Sequence, residues 1–208
     1  MIKALLLIFD PIHTWERIAI ARRQWQQILW LYFVPFLALV CVVEGSGMRR
    51  WGKPRGELDR LQALPLSQIL LFEVAQFALA LLVVFLISKL IKSMGETFHG
   101  RHTFAQAFTV AAYGLSPVLL LRLFDAFPAI SPWLTWFVGV VLSGVILYHG
   151  LPRVMQPDPP HAFGLYLMST LLLIIVTGLV RFLTAWYLQG RFAKLDEIVS
   201  HLTSGWKF

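Results

Sequence analysis

Residues 126–152 read AFPAISPWLTWFVGVVLSGVILYHGLP and contain no Asp, Glu, Lys or Arg. The run lies between Asp125 and Arg153 and is 27 residues long (126 to 152). A helix needs about 20 consecutive, mainly apolar residues to cross the hydrocarbon core of a bilayer. The stretch therefore predicts a membrane-spanning helix, which we place at residues 131–150.

Charge-free intervals of similar length recur along the chain. Their flanking charges are Arg23 and Glu44, Arg101 and Arg122, and Asp158 and Arg181, which enclose 20, 20 and 22 residues. A fifth apolar stretch contains Glu73 about two turns inside its start, since a helix that began after Glu73 would be too short to cross. The five predicted spans are residues 27–44, 66–91, 104–122, 131–150 and 161–182.

The composition excludes an ordinary soluble domain. Hydrophobic residues make up 58% of the chain, charged residues only 14%, and the mean hydropathy is +0.70, whereas soluble domains carry about 25% charged residues. The net charge of +7 would suggest nucleic acid as the partner of a soluble protein. Because the basic residues flank apolar blocks, we instead predict the lipid bilayer as partner, with anionic lipids at the basic loops and no nucleic acid.

Both ends of the chain have the spacing of amphipathic helices that lie at a membrane interface. Near the N-terminus, Asp10 and Pro11 favour a helix start, and apolar residues such as Trp15 recur at helical spacing after it. The tail repeats this pattern. We therefore predict an all-α membrane protein with an interfacial helix at 1–26, a five-span domain at 27–187 and an amphipathic tail at 188–208.

Short motifs, most of them in the second half of the chain, are similar to those of a known family. They are His99-Gly100-Arg101-His102-Thr103-Phe104 with Gln106-Ala107, Ala111-Ala112-Tyr113-Gly114-Leu115-Ser116-Pro117, and Tyr148-His149-Gly150-Leu151-Pro152. Phe9-Asp10-Pro11 with Trp15 also looks like the start of many bacterial members. On these residues the chain resembles the YIP (Ypt-interacting protein) family of five-span membrane proteins, and especially its small bacterial members.

The resemblance implies a five-helix fold, a cytoplasmic N-terminus and, for a bacterial member, the inner membrane. Eukaryotic relatives act in vesicle traffic and interact with Rab-type GTPases. The sequence has neither their long polar N-terminal domain nor their Asp-Leu-Tyr-Gly-Pro motif, so that role is not carried over. Charge alone does not orient the chain, because eight Lys and Arg residues would lie on the N-terminal side and ten on the other.

The predicted third span contains a proline that should bend it. Pro117 cannot donate to the carbonyl group of Tyr113, and its ring crowds that turn. Gly114 and Ser116 leave small faces for a neighbouring helix. The kink is either a packing feature or part of the wall of a substrate path.

Two polar residues of the predicted second span could face such a path. Glu73 and Gln76 are three residues apart and share a helix face. An ionisable side chain within a span is costly, so it is by default a hypothesis for a functional site, here a protonatable one. The alternative is that Glu73 lies at headgroup depth or is hydrogen-bonded to another helix.

Three further patterns have mainly structural interpretations. Arg122 and Asp125, at the end of the third span, predict an interfacial ion pair. A small-residue face in the fourth span favours close packing within the chain or dimerisation; its members are Gly139, Ser143 and Gly144. A Glu-x-x-His pattern is interrupted by a glycine and occurs once, so we predict no metal site; its residues are Glu96, His99 and His102.

Two functions remain open, and neither is enzymatic, because the chain has no nucleophile elbow, phosphate-binding glycine loop or dinucleotide fingerprint and no cofactor is expected. The first is a membrane scaffold or adaptor that binds a membrane-protein partner or a second copy of itself. Its short loops and terminal helices favour this function. The second is a transporter or channel subunit for a small solute, ion or lipid, which Glu73, Gln76 and the kink at Pro117 favour.

Overall fold

The computed structural model describes residues 2–55, 60–62, 64–97 and 102–188. Two short helices come first, α1 (Ile2–Phe9) and α2 (Pro11–Ala21). Five helices that are long and apolar enough to cross a membrane follow. They are span 1 (Trp25–Trp51), span 2 (Leu66–Thr97), span 3 (Phe104–Ala126), span 4 (Pro132–Met155) and span 5 (Pro159–Leu188). The prediction of a helical membrane protein with five spans is confirmed.

Every span is longer than the interval predicted for it. Span 1 continues past Glu44 to Trp51, and span 2 continues past Lys92 to Thr97. The charge-free intervals mark the part of each helix that must avoid charge in hydrocarbon, whereas helical hydrogen bonding continues into the polar interface. Charged residues therefore lie in the outer turns of helices as well as in loops.

Consecutive spans run antiparallel, so the bundle has two distinct ends. Gln106, in the first turn of span 3, donates a hydrogen bond of 3.1 Å to the carbonyl oxygen of Val154, in the last turn of span 4. We call this the N-terminal end, because α1, α2 and the start of span 1 lie there. At the other end, which we call the hairpin end, strands β1 (Lys53–Arg55) and β2 (Arg60–Gln62) pair antiparallel between spans 1 and 2. The sequence does not predict this hairpin.

Span 3 is the central helix of the bundle. Of the residues in its most apolar window, 67% are buried, compared with 33% in span 2 and 22% in span 5. Spans 2 and 5 therefore present most of their surface outward, where the apolar side chains suit a lipid environment. The core around span 3 is rich in aromatic residues; Trp25 lies 5.8 Å from both Phe85 and Phe104, measured between ring centroids.

The N-terminal segment is two helices that pack on the bundle, and not one helix over residues 1–26. Asp10 separates the two helices. Its side chain caps α2 by accepting a 3.4 Å hydrogen bond from the backbone N–H of His13. Trp15 of α2 is fully buried against Tyr113 of span 3. Trp25, which was predicted to belong to this segment, is the first residue of span 1. Apart from Leu188, the predicted tail lies outside the described residues.

Candidate functional site

Charged and polar side chains from all five spans meet near the hairpin end. This polar cluster consists of Glu44 from span 1, Glu73 and Gln76 from span 2, Arg122 and Asp125 from span 3, Thr135 from span 4 and Arg181 from span 5. Three of its members lie seven residues inside their helices (51 − 44, 73 − 66 and 188 − 181). At 1.5 Å per residue this depth is about 10 Å of helix.

Arg122 connects span 3 to spans 1 and 2. Its Nε donates a hydrogen bond of 2.7 Å to Glu44 Oε2, and its Nη2 lies 3.9 Å from Glu73 Oε2. Glu44 is 2% exposed and Glu73 is 8% exposed. Moving an ion from water into a protein interior costs several kcal/mol unless an opposite charge and hydrogen bonds compensate. The positive charge of the guanidinium group therefore offsets part of the desolvation cost of both carboxylates.

Asp125 connects span 3 to spans 4 and 5. One carboxylate oxygen accepts a hydrogen bond of 2.7 Å from Thr135 Oγ1, and the other accepts one of 2.5 Å from Arg181 Nη2. Arg181 also donates from Nε to the carbonyl oxygen of Pro132 at 3.0 Å. The start of span 4 and the end of span 5 are thus held together through Asp125.

The predicted ion pair between Arg122 and Asp125 is wrong. Arg122 pairs with Glu44, whereas Asp125 pairs with Arg181. The helix tightens into a 3₁₀ turn at Leu123–Ala126, which begins directly after Arg122 and contains Asp125. Both residues are buried by neighbouring spans, and the partners on those spans outcompete a pair that would have formed at the surface.

A small cavity adjoins the polar cluster. It has a volume of about 80 Å³, and its polar lining includes four members of the cluster, Gln76, Arg122, Thr135 and Arg181. Small-molecule sites typically measure about 300 to 1,000 Å³, so this cavity is small by comparison. Gln76 therefore faces this small cavity, whereas Glu73 faces Arg122 and does not line the cavity.

Span 3 is interrupted where the sequence predicts its kink. The α-helix ends at Gly114 and resumes at Ser116, with Pro117 in the first turn of the second segment. Span 1 is also irregular, because a π-helical turn at Leu29–Phe33 precedes Pro35. Proline removes a backbone donor, and such defects are tolerated in a membrane where neighbouring groups satisfy the freed carbonyls.

The two irregular segments contact one another. The hydroxyl oxygen of Tyr32 lies 2.6 Å from Ser116 Oγ, and the rings of Tyr32 and Tyr113 have centroids 4.4 Å apart. Tyr113 also makes an edge-on contact with Trp15, at 6.0 Å. Tyr113 thus joins α2, span 1 and span 3 in the middle of the molecule.

The glycines of spans 3 and 4 allow close helix contacts within the chain. A Cβ atom at Gly139 would lie 2.9 Å from Val118 Cα, and one at Gly114 would lie 2.7 Å from Leu147 Cδ2. Gly144 faces span 5, where its nearest contact would be 3.6 Å. The small-residue face of span 4 is therefore used for packing inside one chain.

The Glu96, His99 and His102 pattern gives no metal centre in the described structure. His99 lies outside the described residues, and His102 is buried against Gly95. Among the described side chains, no group of three His, Cys, Asp or Glu residues is placed to hold a metal ion.

Sequence reasoning missed three members of the polar cluster. It used Glu44 and Arg181 only as the ends of charge-free intervals, and it gave Thr135 no role. A usable signal was nevertheless present: charges of both signs border the spans on the same side of the membrane, and the antiparallel order brings those borders together.

Comparison with known proteins gave one match. The family model of the Yip1 domain matches residues 5–181, a range that includes every member of the polar cluster. No curated protein and no solved structure matched the chain.

Proposed function

Because this chain belongs to the Yip1 domain family of membrane proteins, we propose that it is a non-enzymatic scaffold that organises other proteins in the membrane. The observation that supports this proposal is the polar cluster. The ionisable residues that a transporter would expose to a substrate path are used here to connect the five spans. Resemblance to small bacterial members favours the inner membrane as the location.

The surroundings of Glu73 fit a structural role better than proton exchange. Its carboxylate faces Arg122, and a Cβ atom added to Gly45 would lie only 3.3 Å from Glu73 Cγ. A proton-coupled site must exchange with water on both sides of the membrane in turn. The adjacent cavity of about 80 Å³ gives little room for such a path.

The apolar outer faces of spans 2 and 5 supply surface for partners. Exposed residues such as Val74 and Leu82 on span 2, and Leu167 and Leu179 on span 5, cover these faces. Lipid is equally apolar, so another protein would associate through shape and a few polar contacts more than through hydrophobicity. A scaffold of this kind would bind either a membrane-protein partner or a second copy of itself.

The alternative function, a transporter or channel subunit, is favoured by the interrupted middle of span 3. Broken helices line the substrate paths of many transporters. The two functions make opposite predictions for Glu73→Gln, which keeps the side chain's shape and removes its charge. A transporter loses pH-dependent flux in proteoliposomes, whereas a scaffold keeps its partners.

The experiment therefore has two arms. In the first arm, crosslinking with mass spectrometry in native membranes identifies the neighbours of the wild-type chain, of Glu73→Gln and of Glu16→Gln, an exposed control on α2. The second arm measures pH-dependent flux through the same three chains in proteoliposomes. A scaffold gives the same reproducible neighbours for all three chains and no flux above empty liposomes. A flux that Glu73→Gln abolishes and Glu16→Gln preserves would make the scaffold proposal wrong.

A further inference from the structure

We propose that the N-terminal end of the bundle contains a binding site for a phosphate-bearing anion. A cavity of about 510 Å³ opens there between α2 and the adjoining ends of spans 3 and 4. Small-molecule sites typically measure about 300 to 1,000 Å³. This cavity is separate from the polar cluster, which lies at the opposite end of the same helices.

Four cationic side chains line the cavity, and none of the described residues in its lining is acidic. They are Lys3 from α1, Arg22 and Arg23 from the link between α2 and span 1, and Arg153 from the end of span 4. Lysine and arginine side chains from three separate segments thus converge on one concave surface. Such a surface concentrates positive potential and attracts anions.

Most of this positive charge is not neutralised by the described part of the protein. Lys3, Arg22 and Arg23 form no ion pair with any described residue. Arg153 lies 3.9 Å from Glu16 and donates a hydrogen bond of 2.8 Å to the carbonyl oxygen of His149. The contrast with the polar cluster is direct, because there each guanidinium group faces a carboxylate.

The cations are close enough to affect one another. Burial lowers the pKa of Lys3, and the nearby charge of Arg23 lowers it further. Like charges held together are destabilising unless a counterion lies between them. An anion in the cavity would remove this repulsion and favour the charged form of Lys3.

Neutral donors lie deeper in the same cavity. Tyr113 lines it and is 1% exposed, and its hydroxyl group makes no hydrogen bond with a described residue, although the neighbouring Tyr32 bonds to Ser116. Span 3 begins at the cavity with Thr103 as its N-cap. The positive end of that helix dipole adds to the field of the cations.

This combination of donors suits a phosphate group better than a carboxylate. A phosphate carries several acceptor oxygens arranged tetrahedrally, so it can accept hydrogen bonds from different directions at once. Guanidinium groups bind it through paired N–H donors, and lysine binds it as a point charge. The phosphate could belong to a phospholipid headgroup or to a soluble phosphate ester, since the chemistry of recognition is the same.

The test uses the full chain in nanodiscs and measures its unfolding temperature. One arm compares phosphatidylcholine discs with discs that also contain phosphatidic acid. The other arm adds glycerol 3-phosphate to pure phosphatidylcholine discs. The variant is Arg23→Gln, and its matched control is Arg17→Gln, which removes the same charge from an exposed position on α2 that does not line the cavity.

A headgroup ligand predicts that phosphatidic acid raises the unfolding temperature of the wild-type chain and of Arg17→Gln equally, and that Arg23→Gln loses most of this rise. A soluble ligand predicts the same pattern for glycerol 3-phosphate. Lys3→Gln, a change in α1, carries the same expectation if Arg23→Gln does not fold. The proposal is wrong if neither probe stabilises the protein, or if the cavity variants and Arg17→Gln respond alike.

Discussion

The hydroxyl group of Tyr32 is hydrogen-bonded to Ser116 Oγ at 2.6 Å, and this contact joins the two irregular segments of the bundle. Tyr32 lies in the π-helical turn of span 1, and Ser116 lies at the interruption of span 3. Each proline withdraws a backbone donor from its own helix. The side chains beside the two defects then supply a hydrogen bond between the helices, which fixes their relative position.

Tyr32→Phe should therefore destabilise the protein by about 1 kcal/mol, the usual net value of one buried hydrogen bond. The ring contact with Tyr113 remains in this variant, and Ser116 Oγ still donates to the carbonyl oxygen of Ala112 at 3.2 Å. Thermal unfolding in one detergent gives the measurement. The control is Tyr148→Phe, at a position that is 56% exposed; equal effects of the two changes would contradict the assignment.

Arg122→Gln should be far more damaging, by about 3 to 5 kcal/mol, because it removes the guanidinium group that faces Glu44 and Glu73. Arg122→Lys keeps the charge but cannot reach both carboxylates with a planar fork, so its effect should be smaller. Arg49→Gln is the control, since Arg49 is exposed near the end of span 1. Unfolding temperatures that do not separate Arg122→Gln from Arg49→Gln would show that the pair contributes nothing.

Gly150→Ala should loosen α2 from the bundle. A Cβ atom at this position would overlap with Cε2 of Trp15, whose rigid indole ring can move only if α2 moves. Overpacking of this kind costs about 1 to 3 kcal/mol. Hydrogen exchange of the α2 amides should increase in Gly150→Ala and stay unchanged in Gly144→Ala, whose nearest contact would be 3.6 Å. Unchanged exchange in both variants would refute the role of Gly150.

His102 should make stability depend on pH. Burial lowers its pKa below the ordinary 6.5, with Asp158 and Glu96 opposing the shift. Between the folded and unfolded pKa values the unfolded chain binds more protons, so stability is complete above about pH 6.5 and declines as the pH falls toward the folded pKa. Unfolding temperatures measured from pH 5 to pH 8 should show a smaller decline for His102→Gln than for wild type.

The control for this prediction is His13→Gln, which changes an exposed histidine on α2. A profile for His102→Gln as steep as the wild-type one would assign the pH dependence to other groups.

The positions of the spans could be predicted because the solvent imposes a strong local rule. Hydrocarbon excludes charge, so uninterrupted apolar runs are visible without any knowledge of the fold. The interruption of span 3 could be predicted equally well, because Pro117 disrupts hydrogen bonding within its own helix. Pro35 carries the same signal in span 1.

The partners within the polar cluster could not be predicted in this way. Arg122 and Glu44 are 78 residues apart, and Arg181 and Asp125 are 56 residues apart. Their pairing depends on which helices are neighbours, which local patterns do not determine. The close contact of Gly150 with Trp15 depends in the same way on how α2 packs against span 4.

The distribution of the polar cluster over all five spans has a consequence for biosynthesis. Arg122 can meet Glu44 and Glu73 as soon as the third helix has left the translocon, because those partners are already in the membrane. Asp125 meets Arg181 only when the fifth helix has been released. A ribosome-bound chain therefore remains without its second connection until the fifth span has been translated and has entered the membrane.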